Sequence, residues 1–147
     1  MVEKKQHNIF KEGPITASFI GESIANHSSK TDIGAHSIFL GQVRNDTIDS
    51  NKVKAIIFSA YPEMANEKAY KIREETFAKY PLTCMHIYHS LGTISAGEIC
   101  LFVFISSPHR HAAAQACNEL VERVKSEIPI WGKEVFEDKT YRWKGNN

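Results

Sequence analysis

The apolar positions of this chain follow two different periods, and the switches between them mark out its elements. Over residues 33–44, IGAHSIFLGQVR, apolar and polar positions alternate, which predicts a strand closed by a turn at Asn45-Asp46. The β-branched, apolar run 53–61, VKAIIFSAY, predicts a partner strand. The period then lengthens. Within 63–80, Met64, Ala65, Ala69, Ile72, Thr76 and Phe77 share one helical face opposite a Glu/Lys face, with Pro62 at the start and Pro81 as the stop. Residues 82–92 and 97–106 predict two strands flanking GTISAG, the second apolar enough to be central. Ser107 and Pro108 read as the N-cap and first residue of a helix reaching about Ile128, with Ala113, Cys117, Leu120 and Val124 as its core stripe. Pro129 breaks that helix, and EVFEDKTYRWKG predicts a closing hairpin with Tyr141 and Trp143 on one face. Ahead of all these, 21–32 reads as a short helix running into a polar loop.

Strands outnumber helices and connect as hairpins, so the predicted fold is α+β, a mostly antiparallel sheet with packed helices. At 147 residues the chain is expected to form a single domain, 1–147, around one core. A hydrophobic content of 42% with 24% charged residues is that of a soluble globular protein. The net charge of +1 gives no concentrated basic face, so neither nucleic acid nor a membrane surface is an expected partner. Cys84, Cys100 and Cys117 are odd in number and form no CxxC, which suggests neither a zinc knuckle nor a complete disulfide framework. They are expected to act as small buried hydrophobes in a reducing cytosol. MVEKKQHNIF has no apolar signal core, and a cytoplasmic location is expected.

Candidate chemistry centres on SSPHRHAAA, 106–114. A helix N-terminus favours negative charge, yet its first turn here holds His109, Arg110 and His111. Either the basic turn is simply tolerated, or an anion such as phosphate is held there. Arg44 closes GQVRND, where the glycine permits close backbone approach and the guanidinium can fork onto a phosphate or remain solvated. His86 and His89 are an odd number of residues apart in a strand and so face opposite sides, and no shared metal is expected. In YRWK, 141–144, alternation separates aromatics from cations, which predicts inward aromatic packing rather than a single-strand nucleic-acid surface. Lys125 is on its own a complement to the helix dipole. Arg110 and Lys125 lie about 22 Å apart along one helix, so a single small-molecule site using both needs a second copy of the chain.

GAHSIFLGQVRND (34–46), YPEMA (61–65), IYHSLGTISAGE (87–98), SSPHRHAA (106–113) and VKSEIPIWGKE (124–134), with Trp143 after them, together resemble the large, catalytic subunit of molybdopterin synthase. The resemblance implies an α/β hammerhead-type fold and a homodimer with shared active sites. It also implies a ubiquitin-like small-subunit partner whose Gly-Gly tail ends in a thiocarboxylate. Sulfur would pass from that tail to a cyclic pyranopterin monophosphate to form a dithiolene, with no cofactor of the enzyme's own. The family arginine falls on Arg44, its His-Arg pair on His109 and Arg110, and its helix-end lysine on Lys125, the expected catalyst. Gln42, Val43, Gly132, Lys133 and Glu134 complete the implied pocket. One departure stands out: the family commonly has a second lysine directly after the tryptophan, and here that position is Gly132. Lys133, one residue later, is the candidate to replace it. The alternative reading is a non-catalytic ligand-binding or assembly homologue that lost activity with this change.

Overall fold

The structure, a computed structural model, describes residues 7–144. Its elements are β1 (Phe10–Glu12), α1 (Ala17–Ala25), β2 (Ala35–Gln42), β3 (Thr47–Ile48), β4 (Asn51–Ala60), α2 (Pro62–Lys79), β5 (Cys84–Ser95), β6 (Ile99–Ser107), α3 (Arg110–Glu127), β7 (Ile130–Phe136) and β8 (Tyr141–Trp143). The strands run β2-β6-β5-β4-β7-β8, with β1 added to β5 and β3 to β4. Every pairing is antiparallel except β1 with β5. The α+β prediction therefore holds.

The long strand β5 organises this sheet by changing partner along its length. Cys84–His89 pair with β6, and Gly92–Ser95 pair with β4. At the handover Gly92 takes φ +88, a conformation that a side chain would strain. The alternation of β5 and β6 then sorts side chains to two faces. Met85, Ile87, Leu101, Val103 and Ile105 pack against the buried stripes of α2 and α3. Phe102 and Phe104 face the other way, under Ile15, Phe19 and Ile20 around α1. Val43, Val53, Ile56, Ile94 and Phe136 form a third cluster within the β4–β7 half.

The helical stripes agree with the sequence periodicity: Ala65, Ala69, Ile72 and Thr76 are buried on α2, and Ala113, Cys117, Leu120 and Val124 on α3. Met64 alone departs from the α2 stripe, being 58% exposed near the helix start. Helix α1 begins four residues before the expected position, because the Thr16 hydroxyl accepts from the Phe19 amide and caps it there. Helix α3 begins later than expected, with His109 rather than Ser107 as its N-cap. Ser107 is still paired with Ala35 in the β2–β6 ladder, and its carbonyl accepts from the Gly34 amide at 3.0 Å. Those bonds keep the chain extended for two further residues.

One other expectation is corrected. Tyr141 and Trp143 do share a face, but they are 60% and 62% exposed. Strand β8 is the sheet edge, and the inward alternate position belongs to Arg142, which pairs with buried Glu134. Trp131, after α3, is also exposed, edge-on to Tyr61 with ring centroids 5.6 Å apart. Ile128 is the buried anchor.

Gly34 permits the close approach that seats α3, since a Cβ there would lie 2.1 Å from the Pro108 carbonyl oxygen. Gly34→Ala is therefore expected to destabilise the protein by about 1–3 kcal/mol, the usual cost of overpacking. Urea denaturation would read this as a lower midpoint at unchanged slope.

Candidate active site

Where β5 changes partner, residues of β2, β4, β6 and β7 and of the C-terminal end of α3 enclose a cavity. The resulting cavity, about 450 Å³, is lined on one side by Phe39 to Arg44, Cys100 and Leu101, and on the other by Ile56, Phe58, Ile130, Gly132 and Glu134. Val124, Lys125 and Ile128 of the α3 end form its roof, and His89 also lines it. The segment after β2 is pinned by Val43 N–H donating to the Glu98 carbonyl and Gly97 N–H donating to the Val43 carbonyl. Arg44 is thereby delivered to the mouth, where its side chain is 70% exposed and bonds Asp46 at 3.2 Å.

The interior titratable groups are held neutral or are paired. Burial pushes the His89 imidazole down to about 4, and the nearby Lys125 charge adds to that, against a bond to the Ser90 carbonyl. Nδ1 lies 2.8 Å from that carbonyl, which can only accept, so Nδ1 carries the proton and Nε2 is left as an acceptor. Burial pushes the Cys100 thiol up, with Lys125 and Lys144 pulling the other way. Glu134 is 5% exposed, and its charge is matched by Arg142 Nε at 2.9 Å. The result is a floor without unmatched charge under a rim carrying Arg44, Lys125 and Lys144. Lys125 is exposed, so any desolvation of its amine needs something laid over it.

Six residues named from the sequence line this cavity: Gln42, Val43, Arg44, Lys125, Gly132 and Glu134. Three do not. His109 and Arg110 lie exposed at the far end of α3, about 22 Å along the helix from Lys125. Lys133 points to the opposite side of β7 from Gly132 and Glu134, its Nζ 4.6 Å from the Tyr141 ring centroid. Strand alternation puts it there, and the glycine before it does not turn it back.

Lys144 is the cation that sequence reasoning missed. Lys133 pairs with Trp143, so the next residue falls opposite Gly132, and the Lys144 amide donates to the Gly132 carbonyl at 2.8 Å. Directly opposed residues of an antiparallel pair share a face, which brings the Lys144 side chain into the cavity wall. At Gly132 itself there is little room. A Cβ would sit 3.1 Å from Ile56 Cγ2 and 3.3 Å from Phe58 Cε1. Counting the hairpin register outward from the EDKT turn was the available signal.

The family model for MoaE protein matches residues 15–127, more than half of the chain. The chain belongs to the MoaE family. Its similarity to the molybdopterin synthase catalytic subunit of Pyrococcus abyssi is 35% identity over 86% of this chain and 84% of that one. The human molybdopterin synthase catalytic subunit is 34% identical over 77% of this chain, which spans 59% of the human length. A crystal structure of molybdopterin synthase from Staphylococcus aureus superposes with a TM-score of 0.83 at 32% identity, covering 97% of this chain and 99% of that one. One subunit in a Helicobacter pylori complex of subunits 1 and 2 of molybdopterin-converting factor shares the fold, with a TM-score of 0.78 at 17% identity, covering 95% of this chain and 92% of that one. In this MoaE-family chain no described helix is long and apolar enough to cross a membrane.

A pH prediction follows from His89. Its folded value near 4 lies below the ordinary 6.5, so the unfolded chain binds the extra proton first as the pH falls. The contribution of His89 to stability is complete above pH 6.5 and is lost as the pH drops toward 4. Urea denaturation at intervals across that window is expected to show a shallower decline for His89→Asn than for the wild type.

Proposed function

We propose that this chain is the catalytic subunit of a molybdopterin synthase. In this reading it moves sulfur from the C-terminal thiocarboxylate of a ubiquitin-like small subunit to a cyclic pyranopterin monophosphate, forming the dithiolene. The observation that carries this reading is the cavity itself, a floor without unmatched charge under Arg44, Lys125 and Lys144 in a MoaE-family chain. Both reactants are anionic, and guanidinium and ammonium donors at the rim suit phosphate and thiocarboxylate. An extended Gly-Gly tail brings no side chains of its own, which suits a cavity of about 450 Å³.

The chemistry requires a bond from the carrier sulfur to a substrate carbon as that carbon's bond to an oxygen substituent breaks, the departing oxygen taking up a proton. The carrier's acyl–sulfur bond is then cleaved by water, which leaves sulfur on the pterin and returns the carrier as a carboxylate. Two such transfers give the dithiolene. Lys125, at the end of α3 and beside the cavity, is the residue assigned to proton transfer, and a seated tail would supply the desolvation it lacks in the open cavity. Arg44 and Lys144 hold the substrate phosphate. His109 and Arg110 reach a site only on another copy, so the reading includes a homodimer in which one protomer's α3 start completes its partner's pocket.

The test mixes the purified protein with a thiocarboxylated small subunit and the pyranopterin precursor, and measures dithiolene product. Lys125→Ala is expected to lower turnover at least about 100-fold, the usual size of a lost general acid–base. Lys144→Ala should weaken substrate binding, and Lys133→Ala should leave transfer unchanged. Complex formation without any product would favour the binding-only homologue. Loss of activity in Lys133→Ala but not Lys144→Ala would reverse the assignment of the second lysine.

A further inference from the structure

The sheet face under α1 carries a cluster of donors that the cavity does not use. Cys84 and His86 stand two residues apart on β5 and so point to the same side. His27, just past the C-cap of α1, lies over both. The ligand atoms of these three residues all fall within 4.8 Å of one another. His27 Nε2 is 3.1 Å from His86 Nε2, and His27 Nδ1 is 2.7 Å from the Ser23 carbonyl. That carbonyl can only accept, so the proton of His27 sits on Nδ1 and the Nε2 lone pair faces the cluster. The His27 ring is further fixed by stacking on Phe104, with centroids 4.8 Å apart.

We propose that His27, Cys84 and His86 form a zinc-binding site that ties the end of α1 to the sheet. Two imidazoles and a thiol are the donors a borderline-soft divalent ion selects, whereas magnesium and calcium require oxygen ligands. Tetrahedral zinc holds nitrogens about 2.0–2.1 Å from the metal, which separates two of them by about 3.3 Å. The present 3.1 Å needs to open only slightly. His27 and Cys84 are buried, and the Ser23 carbonyl on the far nitrogen of His27 is the outer partner that orients ligating histidines. Lys30 now donates to Cys84 Sγ at 2.9 Å, and as an exposed residue it can swing into solvent when the sulfur coordinates. The fourth position falls to water. Such a tie has a clear structural use, because α1 buries none of its residues fully.

The experiment titrates the chelator-treated, full-length protein with Co²⁺ and then with Zn²⁺. One equivalent of Co²⁺ per chain, with a thiolate-to-cobalt charge-transfer band that Zn²⁺ abolishes, is the expected result, together with a rise in Tm on adding Zn²⁺. Cys84→Ser should remove the band, and His27→Gln should weaken Zn²⁺ binding at least about 100-fold, the upper end of what outer-sphere changes cost. His111→Ala, which removes an exposed imidazole on α3, should change neither. Absence of the band in the wild type would overturn the proposal whether or not any variant folds. So would a band that survives Cys84→Ser, or unchanged affinity in His27→Gln.

Discussion

The change of partner along β5 is the constraint from which the rest of this structure follows. A strand that stayed with β6 throughout would extend one continuous sheet. Here Cys84–His89 belong to β6 and Gly92–Ser95 to β4, with Gly92 at positive φ between them. The cavity lies at that point, lined by His89 just before the handover and by the end of α3. The same strand also sends Cys84 and His86 to the opposite face, so it contributes to two separate clusters.

Charge is distributed in layers around this gap. Buried groups that would cost most if ionised are neutral or matched: burial holds His89 and Cys100 uncharged, and Glu134 is paired with Arg142. The cations stand at the rim, Arg44 beside Asp46 and all of them within reach of water until a ligand arrives. A site built this way keeps its attraction for anions without a buried unpaired charge in the empty protein. The long helix separates this rim from the second basic group at His109 and Arg110, which is why a second copy enters the functional reading.

Much of the fold was legible because it rests on local periods. The stripes of α2 and α3 are buried as the 3.6-residue spacing requires, and the paired strands lie close to their predicted runs. The misreadings of Ser107, Tyr141 and Trp143 share one cause, which is the pairing of strands across the sheet. Ser107 looks like a helix cap until β2 claims it as a ladder partner. Tyr141 and Trp143 look like core until β8 turns out to be an uncovered edge.

For the site, the sequence alone carried the residue types and the segments that bear them, since Arg44, Lys125 and the turn around Gly132 sit in short stretches with distinctive composition. It also determined that Arg110 and Lys125 are too far apart for one pocket, because helix rise is a fixed length per residue. Tertiary structure decided which lysine faces the cavity. Lys133 and Lys144 are equally plausible along the chain, but hairpin register sends Lys133 outward over Tyr141 and sets Lys144 opposite Gly132. It also decided that His86 keeps company with His27 and Cys84 rather than His89. Neighbours across a sheet are set by pairing, and pairing joins residues that no local spacing connects.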